Sequence, residues 1–129
     1  MKIEHLAIWT HELEALKSFY MKYFNAKVGK KYRNEKKKFE SYFLSFEDGC
    51  RLEIMQMPLI PENKNNILNQ YIGLIHFAVS VGSETKVITL TEELKKDGYK
   101  VISEPRTTGD GYFESIILDP DGNRVEITL

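Results

Sequence analysis

Asp48-Gly49-Cys50-Arg51-Leu52-Glu53-Ile54 and Asp121-Gly122-Asn123-Arg124-Val125-Glu126-Ile127 agree at five of seven positions, 73 residues apart. The agreement extends outward from there. Lys27-Val28 matches Lys100-Val101 at the same spacing, and Ile3-Glu4-His5-Leu6-Ala7-Ile8 matches Leu74-Ile75-His76-Phe77-Ala78-Val79 at 71. Phe39-Glu40-Ser41 matches Phe113-Glu114-Ser115 at 74. Four matches in one order, with nearly constant spacing, indicate duplication. Two copies are too few for a solenoid and make a pseudo-symmetric pair.

Each copy carries the same order of patterns. Leu6 and Ile8 alternate with His5, Ala7 and Trp9, as in a half-buried strand. Thr10, a possible N-cap, precedes the helical spacing Leu13, Leu16, Phe19, Tyr20, Phe24, and Asn25 tolerates the left-handed conformation that ends a helix. In the second copy Ser83 opens the helix, Val87, Leu90 and Leu94 form its apolar face, and Gly98 ends it. Three apolar or aromatic strands then follow in each copy. The last two turn at Glu47-Asp48-Gly49 and at Asp119-Pro120-Asp121-Gly122, where Asp-Gly between apolar runs signals a hairpin. The expectation is an α+β chain of two tandem βαβββ units, residues 1–57 and 73–129, joined by a linker over 58–72 and making one domain, 1–129.

Strand parity isolates four residues. His5 lies opposite Leu6 and Ile8, and His76 opposite Ile75, Phe77 and Val79. Glu53 lies opposite Leu52 and Ile54, and Glu126 opposite Val125, Ile127 and Leu129. The apolar faces should pack under the helices, so His5, Glu53, His76 and Glu126 share the other face, together with Ala7, Trp9, Met55 and Ala78. A lone strand histidine is ordinarily a structural hydrogen-bonding residue and a lone glutamate is ordinarily solvated. One histidine and one glutamate in the same places of both copies point instead to a metal site. Imidazole favours zinc, nickel, iron or copper and carboxylates neutralise charge, so the set suits a divalent transition ion; nickel or zinc is expected first, with cobalt, manganese or iron as the other candidates. His11 has no counterpart in copy two and reads as a surface residue.

Composition excludes several classes. The chain has 129 residues, 42% hydrophobic and 29% charged, with a net charge of −1, so it folds and has no global attraction for nucleic acid. Residues 22–38 hold eight of the 18 Lys and Arg, and copy two lacks that density, so a solvated hairpin or loop is the preferred reading. Cys50 is the single cysteine, which excludes an internal disulfide or a multi-cysteine zinc site. No apolar run approaches the ~18 residues of a membrane span, and Met1-Lys2-Ile3-Glu4-His5 does not resemble a signal peptide. A cytoplasmic protein without membrane or nucleic-acid partners is expected.

Taken together, the paired units, the histidine in each first strand, the glutamate in each last strand, and the stretch from Leu118 to Glu126 resemble the vicinal oxygen chelate superfamily. That group includes glyoxalase I, methylmalonyl-CoA epimerase, extradiol dioxygenases, fosfomycin-resistance enzymes and bleomycin-binding proteins. The resemblance implies an open cupped barrel around a metal, often completed in a homodimer. Its His, Glu, His, Glu pattern is that of glyoxalase I and falls on His5, Glu53, His76 and Glu126. Ring-cleaving dioxygenases use two histidines and one carboxylate, an arrangement Glu53 would crowd, and antibiotic-sequestering relatives typically lack the set.

The implied activity is therefore a metal-dependent lyase or isomerase of glyoxalase I type, akin to lactoylglutathione lyase. It would act on a small hemithioacetal by proton transfer through a metal-stabilised enediolate, with Glu126 or its symmetric partner Glu53 as base, Glu126 first; the sequence alone does not separate them. A non-catalytic binding module and a dioxygenase are the alternatives. Short glyoxalase I enzymes commonly carry an arginine four residues after the first histidine. Trp9 stands there, which leaves the thiol open. Arg33 and Arg106 could meet a carboxylate but read first as surface residues. Residues 105–112 would form a lip over the site.

Overall fold

The computed structural model describes Met1–Leu129. Its elements fall into two compact units, Met1–Glu62 and Asn63–Leu129, and the division lies inside the 58–72 stretch. The first unit runs β1 (His5–Trp9), α1 (Leu13–Phe24), β2 (Lys27–Val28), β3 (Tyr32–Asn34), β4 (Phe39–Ser45) and β5 (Arg51–Gln56). The second runs β6 (His76–Ser80), α2 (Glu84–Lys96), β7 (Val101–Thr107), β8 (Phe113–Leu118) and β9 (Arg124–Thr128). Neither helix is long and apolar enough to cross a membrane.

The α+β reading and the repeated unit hold. Each unit is one mixed sheet with its first and last strands side by side and parallel, in the orders β1-β5-β4-β2 and β6-β9-β8-β7. The remaining pairs are antiparallel. This topology matters for chemistry, because it places the histidine strand directly beside the glutamate strand. One strand departs from the expected three per copy. After α1 the chain pairs with β4 in two pieces, β2 and β3. Between them Gly29 donates its backbone N–H to the Phe43 carbonyl at 2.9 Å. The corresponding β7 stays continuous but carries two register irregularities.

The helices cover the apolar faces of the later strands, whereas Leu6 and Ile8 of β1 and Phe77 and Val79 of β6, expected under them, are only half-buried. Leu13, Leu16, Phe19, Tyr20 and Phe24 of α1 are buried, as are Leu44, Leu52 and Ile54 of the sheet. Replacing the fully buried Leu16 with alanine should cost about 2–5 kcal/mol. Under α2 the buried set is Val87, Thr91 and Leu94 with Ser115, Ile117, Val125 and Ile127. Leu90 is only half-buried. Thr91 takes the central position because its hydroxyl is satisfied twice: it lies 2.6 Å from the Val87 carbonyl and 2.7 Å from Ser115 Oγ.

The helix ends are only partly as expected. Ser83 caps α2, its Oγ accepting from Lys86 N at 3.2 Å, and Asn25 takes the left-handed φ of 52° that ends α1. Thr10 does not cap α1. Its hydroxyl accepts from the N–H of Glu12 at 3.0 Å, the residue just before the helix, which begins at Leu13. Gln56, at the end of β5, serves that end instead, accepting from Leu13 N at 3.3 Å and donating to His11 O at 2.8 Å. A cap from 43 residues away leaves no local sequence signal. Both Asp-Gly turns form, with Gly49 and Gly122 at φ of 87° and 79°, where a side chain would be strained.

Candidate functional site

The ladders fix which side chains share a face. In the first unit His5, Ala7 and Trp9 stand beside Arg51, Glu53 and Met55, with Phe43 across from Glu53 on β4. In the second, His76, Ala78 and Ser80 stand beside Arg124, Glu126 and Thr128, with Ile116 across from Glu126 on β8. In both units the glutamate sits two rungs along the neighbouring strand from the histidine. The side chains can therefore lean together on the face away from the helix. His5 Nε2 lies 3.8 Å from Glu53 Oε2, and His76 Nε2 lies 3.5 Å from Glu126 Oε2. The histidine side chains are 38% and 44% exposed and the glutamates 16% and 15%. Both pairs are thus open to an incoming group on the histidine side and sheltered at the carboxylate.

Each half presents one imidazole and one carboxylate, the donor types a divalent transition ion takes. Two ligands at ~2.1 Å from one ion, at tetrahedral or octahedral angles, stand roughly 3.0–3.4 Å apart. The two observed spans are within a few tenths of an ångström of that. Nowhere are three or more His, Cys, Asp or Glu side chains gathered into a metal-holding group, so each unit by itself offers two donors.

Around the first pair lies a closed ring of contacts. The Glu4 carboxylate hydrogen-bonds His5 Nδ1 through one oxygen and Arg51 through the other. These bonds, His5 foremost, hold the Glu4 carboxyl below its ordinary range. The Arg51 guanidinium lies 4.1 Å over the Phe43 ring, and Phe43 meets His5 edge-on at 5.2 Å between centroids. Trp9 meets Phe39 in the same edge-on manner at 6.0 Å.

The second pair is surrounded differently. Ile75 occupies the place of Glu4. Arg124, though matched to Arg51 in sequence, is buried and donates to the carbonyls of Asn66 and Ile67 at 2.7 and 3.4 Å. A second acid, Glu114, joins Glu126. Burial, followed by the adjoining Glu126 carboxylate and a hydrogen bond to it, pushes the Glu114 carboxyl above its ordinary range. Arg106 stands opposite Glu114 in the β7–β8 ladder and donates to Ser103 Oγ at 3.2 Å.

Glu114 is the residue that sequence matching misplaced. The match at spacing 74 equates it with Glu40. The ladders instead use 73: Val28 faces Leu44 as Val101 faces Ile117, and Phe43 faces Glu53 as Ile116 faces Glu126. The counterpart of Glu114 is therefore Ser41. A one-residue slip exchanges the two faces of a strand. Glu40 accordingly points away from Glu53 and pairs with Lys31 and Arg33, both at 2.8 Å. Counting parity back from the Asp-Gly turn would have found Glu114.

The remaining candidates have ordinary surroundings. His11 lies 3.5 Å from the exposed Glu62. Arg33 pairs with Glu40 of its own sheet, and Lys31 pairs with Glu40 and with Glu14 of α1, in keeping with the hairpin reading of the basic stretch. Cys50 is a half-buried free thiol. Of the 105–112 stretch, 105–107 belong to β7, and Thr108 and Asp110 hydrogen-bond in the turn that follows.

Comparison with known proteins gives a consistent picture. Residues 2–127 match the family model described as the glyoxalase/bleomycin resistance protein/dioxygenase superfamily. No curated protein matches the sequence. Among solved structures, the glyoxalase family protein from Enterococcus faecalis is 24% identical with a TM-score of 0.80, over 99% of this chain and 97% of that one. The trypanothione-dependent glyoxalase I of Leishmania major is 20% identical with a TM-score of 0.76, over 99% and 86%. A glyoxalase I variant from Zea mays is 23% identical with a TM-score of 0.79. It is matched over 98% of this chain, which spans only 44% of the maize one. At these identities the structural likeness establishes the fold.

Proposed function

The chain belongs to the glyoxalase/bleomycin resistance protein/dioxygenase superfamily, and from that premise we propose that it is a metal-dependent, glyoxalase-type lyase or isomerase of a small aldehyde–thiol adduct. One observation carries the reading. Each unit sets an imidazole nitrogen against a carboxylate oxygen at 3.8 or 3.5 Å, on the face its helix does not cover. A neutral imidazole's bare nitrogen and a carboxylate oxygen are both electron-pair donors, and a cation between them relieves the repulsion. His5, Glu53, His76 and Glu126 would together hold one divalent ion, nickel or zinc in the first place. Two neutral and two anionic ligands would leave it little net charge. The pairing of the half-sites rests on the family pattern, and a homodimer is part of the same reading.

When bound, the ion supplies Lewis-acid stabilisation of the negative charge developing on adjacent substrate oxygens. The chain's own residues move the proton. Glu126 takes it from carbon through a carboxylate oxygen and returns it to the neighbouring carbon. Glu53 holds the corresponding place in the first unit. Ala7, Trp9, Phe43 and Met55 around one half and Ile116 beside the other lower the local polarity and strengthen charge stabilisation. Trp9 offers a flat apolar surface where a cation would have gripped a charged thiol, so the thiol carrier need not be glutathione. A small-molecule substrate, no nucleic acid and a cytoplasmic location complete the proposal.

The test is metal analysis of protein purified without chelator, combined with hemithioacetal isomerisation assays across several low-molecular-weight thiols. About one ion per chain and turnover of at least one adduct are expected. A folded, metal-loaded protein that turns over none of them would overturn the catalytic reading and leave a binding module.

A further inference from the structure

The first half-site is built to present one nitrogen. A carboxylate only accepts hydrogen bonds, so the Glu4 contact with His5 Nδ1 puts the proton of a neutral ring on Nδ1. The electron pair is then left on Nε2, the atom that faces Glu53 Oε2 at 3.8 Å. Glu4 is itself held in place. Its carbonyl accepts from the Arg51 backbone N–H at 3.1 Å, its second carboxylate oxygen accepts from the Arg51 guanidinium, and that guanidinium rests on Phe43, whose ring meets His5. Each of the four residues thus restrains the next, and the imidazole can neither flip nor exchange tautomers without breaking a charge-assisted bond.

We propose that Glu4 is a positioning residue for metal capture. Braced by Arg51, it fixes His5 in the Nδ1–H tautomer with Nε2 turned to the ion. The inference rests on the metal reading above and goes beyond it. It assigns a role to a residue outside the repeated four, and it makes the two half-sites unequal. The second unit has Ile75 in the Glu4 position, and its Arg124 is engaged with the Asn66 and Ile67 carbonyls. His76 therefore lacks this brace, and the first half-site is the pre-organised one.

Two measurements test it. Long-range proton–nitrogen correlation spectra of the metal-free protein at pH 8 should show the His5 proton on Nδ1. In Glu4→Ala the proton should move substantially to Nε2. Competition with a chromophoric chelator should show zinc and nickel binding about 10–100-fold weaker in Glu4→Ala, the usual cost of losing such an outer partner. Ile75→Ala should be unchanged. Glu4 is more than half exposed, so the variant should fold, with a metal-free melting curve like that of the parent. A wild-type His5 protonated on Nε2, or equal metal affinity in Glu4→Ala and the parent, overturns the role of Glu4 alone. Failure of the wild-type protein to bind either ion overturns the metal reading and this inference with it.

Discussion

His76 Nε2 stands 3.5 Å from Glu126 Oε2, two rungs along a parallel pair of strands, repeating the His5–Glu53 relationship of the other unit. Two copies of one strand arrangement have kept the same diagonal contact, although most of the residues around it differ. The contact is therefore where loss of a ligand should tell most. His5→Ala and His76→Ala should each sharply lower metal content. They should also lower the melting temperature only when metal is present, since an ion stabilises only the state that binds it. Full metal retention in both variants would remove these histidines from the ligand set.

A separate prediction concerns the chemistry. Glu126→Gln keeps the side chain's size and one oxygen able to coordinate, but it removes the basic oxygen. General-base catalysis contributes typically about 10²–10⁴-fold, so hemithioacetal turnover should fall by roughly that factor while metal is largely kept. A carbon-bound deuterium at the transferred position should slow the wild-type reaction if proton abstraction limits it. An unchanged rate in Glu126→Gln would move the base elsewhere, Glu53 first.

The core beneath α2 offers a cleaner stability test. Thr91 donates to the Val87 carbonyl and Ser115 donates to Thr91, in a setting where both are essentially solvent-free. Thr91→Val leaves the Ser115 hydroxyl without its partner and should cost roughly 1–3 kcal/mol. Adding Ser115→Ala removes the stranded hydroxyl and should recover part of that loss. Denaturant melts of the two single variants and the double one would reveal the coupling. Additive losses would mean that the two hydroxyls act independently.

Much of this was readable from the residues because period-2 alternation and a duplicated heptapeptide constrain each other. Leu52, Glu53 and Ile54 can be placed on faces from alternation alone, and Val125, Glu126 and Ile127 repeat the placement. What escaped depends on register or on distant partners. Glu114 looked like the twin of Glu40 because Phe-Glu-Ser occurs twice, yet hydrogen-bond pairing, not identity, decides the face. The Gln56 cap of α1 reaches across 43 residues. Thr91 was hidden because its burial depends on two hydrogen bonds that no hydropathy pattern records. Glu4 carries no signal of its own in the sequence because its value lies in Arg51, a residue brought beside it only when β1 and β5 pair.

The last prediction is a pH dependence that belongs to α1 rather than to the site. Glu14 accepts from Lys17, Lys31 and Tyr42, and these bonds, Lys17 first, lower its carboxyl from 4.5 to about 2. A carboxyl whose folded value is depressed stabilises the fold above its unfolded value and loses that contribution as pH falls through the folded one. The window is therefore about pH 4.5 down to about 2. Glu14→Gln should be less stable than the parent at pH 7, and the difference should shrink across that window. The Glu14 side chain is 56% exposed, so solvent screening confines the effect to roughly the 0.2–1 kcal/mol of exposed ion pairs. Added salt should reduce it further. Urea midpoints of both proteins at pH 7 and pH 2.5, in low and high salt, would measure it. A difference that stays constant with pH would show that Glu14 acts through packing and not through its charge.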